Sequence, residues 1–105
     1  MNEEEQRILQ MVIQGGDARC AAMEAIEAAR EGKFGQAAIL LERSSQTLAY
    51  AYSAQTDMFQ KELGKERGGV SLLMVHAQDH LMGAITVRDL AREIVELYRR
   101  EERER

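Results

Sequence analysis

Ser71-Leu72-Leu73-Met74-Val75-His76-Ala77-Gln78-Asp79-His80-Leu81-Met82-Gly83 decides how the chain is built. Nothing breaks a helix before Gly83, and the apolar residues recur at intervals of three and four, the repeat of one helical face. The spacing continues C-terminally as Leu72, His76, Asp79, Gly83, Thr86, Leu90, Glu93 and Leu97. Leu73, Ala77, His80, Ala84, Val87, Ala91, Ile94 and Tyr98 run beside it. The reading is a buried helix in which His76, Asp79 and His80 interrupt a core-facing stripe. Burying such groups costs several kcal/mol unless partners or a metal satisfy them. They include both histidines of the chain, so this turn is the candidate site.

Two breaks lie upstream. Arg30-Glu31-Gly32-Lys33-Phe34-Gly35 places Gly32 as a helix C-terminal cap. Leu63-Gly64-Lys65-Glu66-Arg67-Gly68-Gly69 reads as a charged, glycine-bearing loop. The expected helices are therefore roughly 3–31, 34–63 and 70–104. Each is about 45 Å long at the standard rise, which favours a near-parallel bundle. The first carries Ile8, Val12, Gly15, Arg19, Ala22, Ile26 and Ala29; the second carries Phe34, Ala38, Leu41, Ser45, Leu48, Tyr52, Gln55 and Phe59. Seams with many small residues allow close approach, and polar insertions such as Ser45 and Gln55 fix register and oligomer state. Apolar faces this broad exceed what three helices need among themselves, which predicts self-association. Gly15-Gly16 inside the first helix marks a kink or a close crossing; no strand precedes it and no P-loop lysine follows it. Ser71 is placed to cap the third helix.

Composition agrees. The chain of 105 residues has no proline and 5% aromatics, which indicates one all-α domain, 1–105. A net charge of −4 gives no general attraction to nucleic acid or anionic membranes. No apolar run approaches the roughly 18 residues of a membrane span. The acidic start, Met1-Asn2-Glu3-Glu4-Glu5, does not read as a signal peptide. Cys20 is a lone cysteine, read as a buried, inert thiol. A cytoplasmic protein without membrane insertion is expected. Met58, Met74 and Met82 read as core fillers, and the mixed-charge end, Arg99–Arg105, as a frayed, solvated terminus.

Imidazole can act as base, metal ligand or nucleophile. Histidines at i and i+4 have metal-ligand spacing, but the His-Glu-x-x-His pattern is absent. Asp79 could orient an imidazole. The residues alone leave open packed core histidines, a metal site and a phosphoryl site.

Val75-His76-Ala77-Gln78-Asp79-His80-Leu81-Met82 resembles the signature of the lactose/cellobiose-type enzyme IIA of the bacterial sugar phosphotransferase system. Gly15-Gly16-Asp17-Ala18-Arg19, Met23-Glu24-Ala25-Ile26, Ala28-Ala29-Arg30-Glu31-Gly32 and Ala54-Gln55-Thr56 look like its first two helices. Val70-Ser71-Leu72-Leu73 and Leu90-Ala91-Arg92-Glu93-Ile94 look like its third. The resemblance implies three long antiparallel helices per chain, assembled as a homotrimeric nine-helix bundle. It implies a phosphotransferase component that accepts phosphate from the phosphocarrier HPr on His76 and passes it to a cysteine of enzyme IIB. The process served is uptake of a β-glucoside or galactoside disaccharide. Asp79 inherits a role at the trimer axis, one Mg²⁺ per trimer, and Gln78 and His80 inherit supporting roles. Three carboxylates about 5 Å apart repel by roughly 3 kcal/mol per pair at an effective dielectric near 20. An axial Asp79 therefore needs a bound cation or protonated carboxyls, and oxygen-only ligation suits Mg²⁺ better than zinc. The competing expectation is a metal-stapled trimeric interaction module, with His76 and His80 on a transition metal and no transfer chemistry.

Overall fold

The computed structural model describes residues 1–63 and 71–105; the glycine-bearing segment after Leu63 lies outside the described residues. Three helices make up the fold: α1 (Glu3–Arg30), α2 (Phe34–Leu63) and α3 (Leu72–Arg103). Their ends follow from local chemistry. Asn2 Oδ1 accepts the Glu5 N–H at 2.7 Å, and Glu3, Glu4 and Glu5 set negative charge against the dipole of the first turn. Gly32 closes α1 at φ 79°, a left-handed conformation that suits glycine. The Lys33 N–H reaches Ala28 O at 2.8 Å and the Gly32 N–H reaches Ala29 O at 3.0 Å, a Schellman closure. Ser71 Oγ accepts the Met74 N–H at 3.1 Å and starts α3. The C-terminal end is solvated but helical to Arg103, where Glu96 collects Arg99, Arg100 and Arg103.

The core reads as three layers. Ile8 and Met11 of α1 meet Met58 of α2 and Met74 and Ala77 of α3. Ala18 meets Leu48, Ala51, Leu81 and Ala84 in the middle. Ala25, Ala28 and Ala29 meet Ala37 and Val95 at the far end. Ascending numbers in α1 pair with descending numbers in α2 and ascending ones in α3, so α2 is antiparallel to both neighbours. Small side chains let the helices approach closely. The result is a rod of 62 × 19 × 17 Å with a radius of gyration of 16.7 Å. A compact domain of this length has about 13 Å. Ser44, fully buried, donates from α2 to Ala18 O of α1 at 2.8 Å. Ser45 accepts both Arg88 and Arg92 of α3 at 3.0 Å, so that polar interruption fixes register within one chain.

Gly15 marks the close α1–α3 crossing, and α1 runs through both glycines. A Cβ there would lie 3.7 Å from the His80 carbonyl carbon and 3.8 Å from Leu81 Cα, ordinary contact distances. Gly15→Ala should therefore raise stability by about 0.5–1 kcal/mol through helix propensity. Gly15→Leu would push side-chain atoms into the α3 backbone and cost about 1–3 kcal/mol. Thermal unfolding of the two variants checks the opposite signs.

The structure corrects the orientation expected for the third helix. Its inward face is Met74, Ala77, Leu81, Ala84, Ala91 and Val95. The stripe containing His76 and Asp79 faces solvent in the single chain: Leu72 is 84%, Leu90 57% and Leu97 63% exposed. The core-facing placement of His76, Asp79 and His80 is thus overturned; all three are exposed. Within the single chain no burial cost is incurred at these three positions. Two smaller expectations fail for the same reason. Cys20 is exposed on α1, and Met82 is half-exposed, while Met58 and Met74 are core residues as expected. α1 also carries Leu9, Ile13 and Met23 outward, so it is apolar on two faces.

Candidate functional site

Capping by Ser71 sets the phase of α3, and that phase places His76 in its second turn on the outward stripe. His80 follows one turn later, and the two rings meet edge to face with centroids 4.9 Å apart at 70°. Asp79 lies between them in sequence and is also exposed. His76 and Asp79 open with Leu72, Leu73 and Val75 onto a shallow cleft of about 500 Å³. The structure therefore presents an imidazole pair and a carboxylate on one apolar, solvent-facing surface. Among the described residues, Asp79 has no ion-pair partner and no group of three His, Cys, Asp or Glu side chains could hold a metal. His76 and His80 alone leave a transition metal short of ligands.

Gln78 does not join this group. Residues two apart on a helix point about 200° apart. Gln78 enters a separate cleft of about 340 Å³ between α2 and α3, where Tyr52, Gln55, Thr56 and Phe59 line one wall and Met82 flanks it. Gln55 is 7% exposed, and its Oε1 has no hydrogen-bond partner among the described residues. Sequence reading singled out Gln55 as a polar interruption but could not join it to Gln78, because the α2–α3 register is not visible in either helix alone.

The fold and this surface define a helical rod that displays an imidazole-bearing stripe rather than an enclosed active site. Comparison with known proteins gives the same class. Residues 6–99 match the family described as the lactose/cellobiose-specific IIA subunit of the phosphotransferase system, and the chain belongs to that family. It is 50% identical over 99 residues to the lichenan-specific phosphotransferase enzyme IIA component of Bacillus subtilis strain 168, covering 93% of this chain and 90% of the relative. The crystal structure of the cellobiose-specific enzyme IIA of Bacillus anthracis superposes with a TM-score of 0.88 at 39% identity, covering 97% and 94% of the two chains. The IIA(chitobiose) chain of Escherichia coli, solved in complex with HPr, gives a TM-score of 0.88 at 32% identity over 97% and 99%. Among the described residues, no helix is long and apolar enough to cross a membrane.

Proposed function

We propose that this chain is the phosphoryl carrier of a sugar phosphotransferase system. His76 accepts the group from phosphorylated HPr and hands it to a cysteine of the cognate enzyme IIB, in the cytoplasm, during uptake of a β-glucoside or galactoside disaccharide. The observation that carries this reading is the exposed His76 imidazole, set about 60° around α3 from Asp79 and so left at the flank of the outward stripe, open to two successive protein partners. The HPr-bound structure of a relative supports the donor.

Phosphoryl transfer asks for positioning and charge stabilisation more than for covalent help. A neutral His76 supplies a lone pair to phosphorus in line with the departing donor. The N–P bond forms as the donor's bond to phosphorus breaks with its electron pair. If the second ring nitrogen already holds the proton, none need leave the imidazole. The group brings nearly two negative charges, and the His80 ring, in edge contact with His76, is placed to donate to it.

The outward stripe is read as a trimer axis. Leu72, Leu90 and Leu97 are too exposed for a chain that works alone, and they fall on one four–three repeat that also carries Asp79, the spacing of a helical seam. Asp79 lies on this seam, and three copies would bring three carboxylates together. That oxygen-only set fits Mg²⁺, held by the three Asp79 side chains, with His80 in a supporting role beside His76 and Gln78 apart from it in the α2–α3 cleft. The ion would supply charge neutralisation on the axis. Light scattering at micromolar concentration should give the mass of three chains, and a monomer would sink the axial assignment. Phosphorylated protein mixed with enzyme IIB should lose its phosphoryl group to that partner's cysteine; retention by this chain would contradict the carrier role.

A further inference from the structure

We propose that Arg88 and Arg92 of α3, with the Ser45 hydroxyl of α2, form a binding site for a phosphate dianion, either orthophosphate or the phosphate group of a phosphomonoester. The site is separate from His76 and holds whether or not the chain carries a phosphoryl group. Two cations are gathered there on one neutral oxygen. Arg88 Nη1 and Arg92 Nη2 each donate to Ser45 Oγ at 3.0 Å. Like charges four residues apart on a helix repel, and a hydroxyl brings no charge to offset them.

The carboxylates around the pair are engaged elsewhere. Asp89 Oδ1 accepts Arg88 Nε at 2.9 Å, which leaves the Nη groups of Arg88 outside that bond. Glu96, one turn beyond Arg92, is shared by Arg99, Arg100 and Arg103. Glu42, one turn before Ser45, accepts Gln46 Nε2 at 3.1 Å. Glu93 adjoins Arg92 in sequence but points about 100° away around the helix. Among the described residues Arg92 therefore meets no carboxylate, and its polar contact is Ser45 Oγ. The Ser45 oxygen receives both guanidinium donors, so its own proton is left to donate. No acceptor for that proton exists among the described residues.

The pair is open to a small ion. Arg92 is exposed and Ser45 half-buried, while the Arg88 side chain is 17% exposed. Partial burial limits the screening that weakens ion pairs at an open surface. Guanidinium forks match the oxygens of phosphate, and such charge-assisted bonds are about twice as strong as neutral ones. A tetrahedral dianion takes donors from both guanidinium groups and the hydroxyl at once. The two oxygens of a carboxylate lie in one plane and face fewer of these donors. Bound there, the anion ties α2 to α3 more firmly than a neutral hydroxyl does. Arg88 lies about 18 Å along α3 from His76 at the standard helical rise, so this is not the histidine turn.

Titration calorimetry of the whole protein with inorganic phosphate, and separately with glycerol phosphate, tests the site at fixed ionic strength with chloride as the balancing anion. Saturable binding of one anion per chain is expected, with a matching rise in thermal midpoint. Arg92→Gln changes an exposed side chain and should fold normally while binding about tenfold more weakly. Arg88→Gln should weaken binding to a similar degree. His76→Gln should bind as the wild type does. Tighter binding of orthophosphate supports the site and assigns it to the free ion; tighter binding of glycerol phosphate supports it and assigns it to phosphomonoesters. No saturable binding of either anion, affinity unchanged in both arginine variants, or binding lost in His76→Gln overturns the proposal. Acetate bound as tightly as phosphate also overturns it, because the pair would then be a seat for a protein carboxylate.

Discussion

His76→Gln is expected to fold and assemble like the wild type and to accept no phosphate. The side chain is exposed, and among the described residues its ring contact is with His80. A change at such a position shifts stability by about 0.5 kcal/mol or less. The chemical effect is of another order, because a carboxamide nitrogen has no lone pair available to phosphorus. Loss of a nucleophile lowers a transfer rate by on the order of a thousandfold or more. Helicity and trimer mass on one side, and uptake of phosphate from phosphorylated HPr on the other, should therefore separate completely. Uptake by His76→Gln at even a tenth of the wild-type rate would move the carrier to another residue, with His80 as the first alternative.

Asp79→Leu is expected to free the trimer from its metal. Three carboxylates drawn to about 5 Å at an effective dielectric near 20 cost roughly 10 kcal/mol in total, as much as a small domain's whole stability. On the proposed axial reading a cation offsets most of this in the wild type, so a chelator should lower its thermal midpoint and promote dissociation. Leucine extends the apolar seam of Leu72, Leu90 and Leu97 across the position, and replacing buried charge by packed hydrocarbon is often neutral or stabilising. The variant should hold its trimer with or without chelator, at a thermal midpoint no lower than that of the metal-loaded wild type. Chelator sensitivity persisting in Asp79→Leu would show that the metal lies elsewhere.

Much of the architecture could be read from the chain because its signals are local. Gly32 and Ser71 end and start helices through hydrogen bonds within a few residues of themselves, and the three- and four-residue spacing gave the helices between them. Orientation was harder. A face packed against its own chain and an apolar face left outward have the same period, and α3 carries both. Residue size separates them in retrospect: Ala77, Ala84 and Ala91 fill the narrow gap inside the chain, while Leu72, Leu90 and Leu97 stand outward. Cys20 was misplaced by the same ambiguity on α1. The histidine turn stands out in the sequence as a candidate site because ionisable groups interrupt an apolar stripe there. The cleft joining Gln55 to Gln78 does not, since it exists only once α2 and α3 are in register.

The most direct test of the carrier role is to incubate the wild-type protein with phosphoenolpyruvate, enzyme I and HPr, then measure its intact mass and map the modification under conditions that preserve phosphohistidine. One acid-labile phosphoryl group per chain, found on the peptide that contains His76, is the predicted result. No gain in mass while HPr itself is phosphorylated, or a phosphoryl group on any other residue, would contradict it.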